Sequence, residues 1–214
     1  MQTAKELQRH VSPGGRPQPL AFYGETLWVG CWDTSHVYAI DPKTWSVVDD
    51  VAAPGKPFGM TAYGGGLRVV VSIGEEDDRY FYQFVPGHGF DLDSKTMCPG
   101  FTGSHLAADG STLYLAQLSN KRILALGSDG SVEREIALPS HCAGIAFNAG
   151  TFSMISADEE FDELSFATLD VGSDHPELVP VTALSPEARG LAFDGTAWWT
   201  CYRELNEIAS FTVT

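Results

Sequence analysis

Residues 189–198 read RGLAFDGTAW, and four related phrases precede them in the chain. The relatives are QPLAFYGETL at 18–27, GMTAYGGGL at 59–67, SHLAADGSTL at 104–113 and AGIAFNAGTF at 143–152. Their anchors, Leu20, Thr61, Leu106, Ile145 and Leu191, lie 41, 45, 39 and 46 residues apart. Short strands that repeat at roughly 40–45 residues are the signature of β-propeller blades. We therefore predict an all-β, five-bladed β-propeller.

The third repeat shows how each blade divides into four antiparallel strands. From the channel outward, its predicted strands are 106–108, 113–116, 123–126 and 132–138. Asp109-Gly110 separates the first pair of strands, and Asp129-Gly130 separates the last pair. Such pairs suit the positive φ angles of tight hairpins, so the turn residues support the strand assignment.

The fifth repeat is one strand short, because the chain ends at Thr214 after three predicted strands. A surplus stretch, ELQRHV at 6–11, precedes the first repeat. We predict that it pairs beside 208–212 as the outer strand of the last blade, which closes the ring and covers a bare sheet edge. Residues 1–214 are then a single propeller domain.

The charge balance limits the classes of partner. The chain has 13 Lys and Arg residues against 28 Asp and Glu, a formal net charge of −15. Nucleic acids and anionic membranes require a basic surface, so neither is expected as a partner. No apolar run approaches the roughly 18 residues of a membrane helix, and no secretory signal precedes the repeats. A cytoplasmic monomer with a small-molecule ligand in its central channel is expected.

The cysteines indicate no metal motif. No two of Cys31, Cys98, Cys142 and Cys201 have the CxxC spacing. Buried free thiols are the expectation. Cys31 and Cys201 fall near equivalent points of neighbouring blades, so a disulfide between them stays open.

The repeated phrases resemble a known superfamily of soluble propellers. The matching features are the xGΦAF inner strand, the Asp-Gly turn and the Leu-Trp or Trp-Trp opening of the second strand. They resemble the YVTN and NHL repeats, virginiamycin B lyase and the senescence-marker/gluconolactonase proteins, and residues 25–51 are typical of a YVTN blade. The resemblance implies a propeller and a choice among lactonase, lyase, hydrolase and interaction module. Most of the named enzymes have six or seven blades, so their catalytic residues are not transferred.

Candidate catalytic residues lie where the inner strands begin, because side chains from every blade converge on a propeller channel. His105 occupies the position that Gly144 and Gly190 hold in related phrases. We predict catalytic roles for His105, His141 and Arg189. Imidazole can act as a base, and a guanidinium can hold a carboxylate or oxyanion. The alternative is that these side chains fill channel space and bind backbone or carboxylate groups.

Four further residues are candidates for contact with a substrate. Met60 and Cys142 come at the start of inner strands, and Trp32 and Tyr202 come at strand ends, where aromatic rings can form a pocket wall. The alternative is packing between blades, since flat rings fill the gaps between twisted sheets.

The turns from second to third strands are acidic, and this pattern indicates a candidate metal site. Glu75, Asn120, Asp158 and Glu204 fall at similar points of four repeats. Carboxylate and amide oxygens are the ligands that Ca²⁺ and Mg²⁺ favour. The resemblance to gluconolactonase-like propellers, which use a comparable set around a divalent ion, supports either cation as a cofactor. The alternative is a set of solvated turns, and no EF-hand spacing is present.

These observations predict a small-molecule enzyme with a central pocket. The expected reaction is metal- or His-assisted hydrolysis or elimination on a lactone or ester. The alternative is a non-catalytic propeller that binds a protein or a carbohydrate. The sequence has no GxSxG elbow, phosphate-binding loop, dinucleotide fingerprint or HExxH motif, so it supports neither serine nor nucleotide chemistry.

Overall fold

The computed structural model describes residues 2–170, 172 and 176–214, which form five antiparallel sheets of four strands. The first strand of the chain, β1 (Ala4–Val11), belongs to the last sheet. Blade 1 contains β2 (Pro17–Tyr23), β3 (Thr26–Cys31), β4 (His36–Asp41) and β5 (Ser46–Ala52). Blade 2 contains β6 (Lys56–Tyr63), β7 (Gly66–Ile73), β8 (Asp78–Val85) and β9 (Gly89–Met97). Blade 3 follows a short 3-10 helix, Pro99–Phe101, and contains β10 (His105–Ala108), β11 (Leu113–Gln117), β12 (Arg122–Leu126) and β13 (Val132–Ala137). Blade 4 contains β14 (His141–Asn148), β15 (Thr151–Ala157), β16 (Leu164–Leu169) and β17 (Leu178–Leu184). Blade 5 contains β18 (Ala188–Phe193), β19 (Trp198–Tyr202), β20 (Glu207–Val213) and β1. The five-bladed prediction is confirmed. Within the described ranges, no helix is long and apolar enough to cross a membrane.

The ring closes through the N-terminal strand, as predicted. β1 runs antiparallel to β20, from Ala4 opposite Val213 to Val11 opposite Glu207. The register shifts between Glu6 and Gln8. The paired segment starts two residues before the predicted one. Because β1 is mostly exposed, its contribution to stability is chiefly backbone pairing that covers the edge of β20.

The apolar core lies between the blades rather than within one of them. Five buried clusters each join side chains from two neighbouring blades, so every gap in the ring is filled. Aromatic rings bridge the gaps: Trp28 meets Phe84 of blade 2 edge-on at 4.9 Å, and Phe22 meets Trp199 of blade 5 at 6.0 Å. All four cysteines are free and buried, which confirms the expected thiols.

The strand register corrects one anchor of the repeat. Leu20 lies opposite Val29, and the residue with the same place in blade 2 is Met60, opposite Val69. The sequence alignment had placed Thr61 there, by matching Tyr63 to the wrong residue of blade 1. The two-residue hairpins set the register, and they make the spacing from Leu20 to Met60 40 residues.

Trp45, in the turn between β4 and β5, connects blade 1 to β1, the strand that closes the ring. Its indole Nε1 donates a hydrogen bond to the carbonyl of Val11 at 3.0 Å. The ring stacks on His10 with centroids 4.0 Å apart. Since both partners belong to β1, a turn of the first blade holds the strand that completes the last one.

We expect Trp45→Ala to lower the melting temperature by about 4–8 °C, because it removes the stacking and the hydrogen bond together. Trp45→Phe keeps the stacked ring and should lose less. Differential scanning calorimetry measures both variants. Equal melting temperatures for wild type and Trp45→Ala would show that the contact does not stabilise closure.

Candidate ligand site at the upper mouth of the channel

The channel narrows to a waist between two faces. We call upper the face that carries the loops into the inner strands, and lower the face that carries the hairpins out of them. The waist is formed by residues from all five inner strands: Pro19, Gly59, His105, Gly144 and Gly190. A Cβ added to Gly144 would lie 2.7 Å from the Gly190 carbonyl carbon, so the strands are too close there for a side chain.

His105 fills the waist that the glycines leave free. Only 5% of the residue is exposed, and the void beside it measures about 10 Å³. Burial lowers the pKa of His105 to about 3, and the charges of Arg189 and Arg203 contribute to the same shift. The ring is therefore neutral near pH 7 and a weak base. The structure places it beneath the upper mouth, as the plug of the channel.

The turns from second to third strand surround the upper mouth; four of them have four residues, and that of blade 4 has six. Each contains a non-glycine residue with positive φ before its third strand: Ser35 (50°), Asp77 (59°), Lys121 (46°), Phe161 (60°) and Asn206 (56°). Trp32 and Arg203 both lie three residues before such a position. Turns that share this positive-φ residue therefore present different side chains, and the chemistry of the mouth is set by residue type.

Trp32 lies at the mouth against two arginines. The guanidinium carbons of Arg16 and Arg203 lie 5.0 Å and 4.7 Å from the centroid of its ring. Its indole Nε1 donates to the carbonyl of Pro57 at 2.7 Å, which fixes the plane of the ring. The residue predicted as a pocket wall thus supports two cationic groups.

A buried glutamine and an exposed glutamate position these arginines. Arg203 donates from Nη1 to Gln18 Oε1 at 3.0 Å and from Nε to Glu204 Oε1 at 2.9 Å. Arg16 Nη2 reaches the same Glu204 oxygen at 3.4 Å. Gln18 in turn donates to the carbonyl of Phe58 at 3.1 Å. The hydrogen bond from Arg203 lowers the pKa of Glu204, so a carboxylate rests between two guanidinium groups.

Arg79 extends the cationic surface into blade 2. Its guanidinium carbon lies 3.6 Å from the ring centroid of Phe58, which is 4.4 Å from the ring of Trp32. Arg79 donates to the carbonyl of Asp77, and the carboxylate of Asp77 is 3.7 Å away. The residue is half-buried, and burial lowers the pKa of the guanidinium.

Arg189 continues the surface toward blade 4. It donates from Nη1 to the carbonyls of Pro186 and Ala188 at 2.8 Å and 2.7 Å. Its guanidinium carbon lies 5.2 Å from the ring centroid of Phe161, on which His141 stacks at 5.1 Å. Two predicted catalytic residues, Arg189 and His141, therefore contact the same aromatic ring.

His141 is held by two acceptors. Its Nδ1 lies 2.9 Å from the carbonyl of Leu118, and its Nε2 lies 3.1 Å from Glu159 Oε2. A carbonyl and a carboxylate only accept hydrogen bonds, so both ring nitrogens of His141 face acceptors. Hydrogen bonds from Lys121 and His141 lower the pKa of Glu159. His141 is thus arranged as a proton donor beside a carboxylate.

We call this set of side chains the arginine arc: Arg16, Arg79, Arg189 and Arg203, with Trp32 and Phe58. It gathers half of the eight arginines of a chain whose net charge is −15. Burial lowers the pKa of Arg189, and the charge of Arg203 lowers it further. The two cations are therefore close enough to repel each other. Placing like charges this close together costs free energy unless an anion neutralises them.

The side chains around the arc offer fewer hydrogen-bond acceptors than its guanidinium groups have donors. Arg16 and Arg203 share Glu204, and Arg79 has Asp77, while Arg189 makes no ion pair with any described carboxylate. The buried Nε atoms of Arg16 and Arg79 have no hydrogen-bond partner. Unused guanidinium donors beside aromatic faces suit a carboxylate or an oxyanion.

The four predicted metal ligands are not brought together. Asp158 accepts bonds from the backbone of Asp162 and Glu163, and Asn120 donates to Gln117. Glu204 lies on the arginines and Glu75 is exposed. Across 2–170, 172 and 176–214, no group of three or more His, Cys, Asp or Glu side chains is arranged to hold a metal. A divalent cofactor stays a prediction.

Three predicted substrate contacts lie away from the upper mouth. Cys142 is buried between blades 3 and 4, where burial raises its pKa to about 12. Tyr202 is buried between blades 4 and 5 beneath Arg9. Met60 is buried at the waist and faces the lower half of the channel.

A chamber of about 260 Å³ occupies the lower half of the channel. Its walls are apolar residues such as Leu20, Leu106 and Ile145, with Thr61 and Asn148 as polar members. No ionisable side chain lines it. The charged side chains of the channel described above therefore lie at the upper mouth and not in this chamber.

Sequence analysis did not predict four of the six residues of the arc, namely Arg16, Phe58, Arg79 and Arg203. The available signal was the position of the arginines, since Arg79 and Arg203 border equivalent turns, and Arg16 and Arg189 begin inner strands. Arginines are few in this chain, so their concentration in the upper loops was informative.

Comparisons with known proteins support the architecture. No protein-family profile and no curated sequence matches the chain. Its structure is similar to glutaminyl cyclase from Myxococcus xanthus, with a TM-score of 0.74 and 10% identity over 99% of this chain and 97% of that one. It is similar to the PQQ-bound aldose sugar dehydrogenase of Streptomyces coelicolor, with a TM-score of 0.65 and 12% identity over 100% and 99%. Hydrazine synthase of Kuenenia stuttgartiensis gives 0.53 and 17% identity over 89% of this chain and 56% of its own, so this chain spans little more than half of it. At these identities the likeness shows the fold alone: a β-propeller, which enzymes of different chemistry share.

Proposed function

We propose that the upper mouth binds a small molecule through a carbonyl or carboxylate group and that the protein hydrolyses a lactone- or ester-type substrate there. The observation that carries the proposal is the arginine arc, with more guanidinium donors than acceptors. Hydrolysis turns a neutral carbonyl into an oxyanion and then into a carboxylate, and both are groups that guanidinium stabilises. The resemblance to lactonase- and lyase-containing propellers supports the same reaction class.

The proposed mechanism uses residues of the arc and of blade 4. Water adds to the carbonyl carbon and passes its proton to the Glu159 carboxylate. The oxyanion rests on Arg189, which has no carboxylate partner among the described residues. As the tetrahedral intermediate collapses, His141 gives its Nε2 proton to the leaving oxygen. Glu159 then returns a proton to His141 across their 3.1 Å contact, which restores both groups.

The second candidate is a carboxylate-binding propeller without turnover. Its support is that His105 is buried in the waist and that both nitrogens of His141 already have partners. Neither imidazole is then a free base. This candidate shares the ligand chemistry of the first one and differs only in the absence of reaction.

We expect Arg189→Met to reduce turnover about 10²–10³-fold, the typical cost of removing one group that stabilises an oxyanion. Purified protein is assayed with γ-butyrolactone, δ-valerolactone and aryl acetates. Lys43→Met is the matched control, because it removes the same charge from an exposed turn residue paired with Glu25. Equal turnover in wild type and Arg189→Met would contradict the proposed role. No turnover of any ester or lactone, with carboxylate binding intact, would favour the binding protein.

A further inference from the structure

Glu204 differs from the other surface carboxylates in what it contacts. One oxygen, Oε1, lies 2.9 Å from Arg203 Nε and 3.4 Å from Arg16 Nη2. Half of its side chain is nevertheless exposed to solvent. The carboxylate is thus open to solvent while it contacts the two guanidinium groups.

The groups beneath Glu204 are a built site rather than a chance ion pair. Both arginines lie against the ring of Trp32, whose plane is fixed by a hydrogen bond to Pro57. Arg203 is also held by Gln18, which is only 4% exposed. Arg16 keeps a buried Nε without a partner. Groups other than Glu204 therefore also hold the arginines, so they keep partners when Glu204 moves away.

We propose that Arg16 and Arg203 form the carboxylate subsite of the upper mouth, and that Glu204 is its resident counter-ion, which a ligand carboxylate displaces. The inference rests on the proposed ligand site and adds the ligand group that is recognised and the residue that competes with it. Displacement requires only a rotation of one exposed side chain into water. Glu204 then sets a threshold for this subsite alone, because only a ligand group that binds the two arginines better than a tethered carboxylate does can displace it.

The strength of the Glu204 ion pairs sets how much the affinity for a ligand carboxylate should change when Glu204 is replaced. An exposed ion pair contributes little, so a ligand that makes additional contacts with Trp32 or Arg189 can replace it. Removing the competing charge should tighten binding of a carboxylate about two- to fivefold. A neutral ligand forms no ion pair with the two guanidinium groups, so its affinity should not change when Glu204 is replaced.

The test is isothermal titration calorimetry with sodium benzoate and sodium succinate on wild type, Glu204→Gln and Glu204→Ala. Benzamide and succinamide are the uncharged analogues. Glu25→Gln is the matched control, because it removes an exposed carboxylate paired with Lys43 at 2.9 Å, away from the arc. We expect both Glu204 variants to bind the carboxylates about two- to fivefold more tightly than wild type. Glu25→Gln should match wild type, and Arg203→Met should lose binding.

The outcomes separate this inference from the proposed function. Carboxylate binding to wild type that is unchanged or weaker in both Glu204 variants would overturn the counter-ion role and leave the ligand site standing. No carboxylate binding by wild type or by either Glu204 variant would overturn both. Binding that appears only once Glu204 is replaced would support the inference in its strongest form.

Discussion

Deletion of residues 1–11 is expected to lower the melting temperature by about 10–20 °C. β1 contributes few buried side chains, so the loss is mainly its backbone pairing with β20 between Ala4–Val213 and Val11–Glu207. About five hydrogen bonds at ~1 kcal/mol each amount to about 5 kcal/mol. The exposed edge of β20 should also make the truncated protein prone to aggregation.

Complementation provides the control for this truncation. A synthetic peptide of residues 1–12 should raise the melting temperature of the truncated protein, because it can occupy the vacant edge. A scrambled peptide of the same composition should not. A truncated protein that melts with the wild type would contradict closure by β1.

Acidification between pH 6 and 4.5 is expected to destabilise the protein through His105. Burial lowers the pKa of His105 to about 3 in the folded protein, whereas the unfolded chain titrates near 6.5. Below pH 6.5 the unfolded state therefore binds a proton that the folded state does not, and stability falls as the pH drops toward 3. The expected slope is about 1.4 kcal/mol per pH unit, or about 2 kcal/mol across this window.

His105→Gln isolates this contribution, since the amide is polar and has no proton to gain. Urea unfolding at pH 7.5, 6.0, 5.25 and 4.5 gives the slope for each protein. The carboxylates and other histidines that titrate in this window are common to both proteins, so the difference in slope reports on His105. If the free energy of unfolding has the same pH dependence in wild type and His105→Gln, burial in the waist does not keep the ring neutral.

The propeller could be predicted because its signals are local and repeated. The hairpin pairs such as Asp109-Gly110 fix where each blade turns, and the surplus at 6–11 matches the missing strand of blade 5. The same phrases placed His105 correctly against Gly144 and Gly190, because an inner strand tolerates few residue types at the waist. The error at Thr61 arose where the aromatic residue shifted by one position relative to the hairpin.

The site was harder to predict because it depends on side chains that reach across blades. Arg203 reaches Gln18, which is 185 positions away in the chain, and Arg79 lies over Phe58. Glu204 and Asp158 share an acidic character in the sequence, but one lies on arginines and the other caps its own loop. Composition at a turn therefore predicted charge, while the direction of each side chain decided its role.

The most direct test of the arginine arc is an NMR titration of the guanidinium Nε–Hε signals with succinate. The signals of Arg16, Arg189 and Arg203 are expected to shift with one common dissociation constant. Those of Arg9 and Arg122, which pair with glutamates elsewhere, should stay in place. Shifts spread evenly over all arginines, or no shift in the arc at saturating succinate, would contradict it.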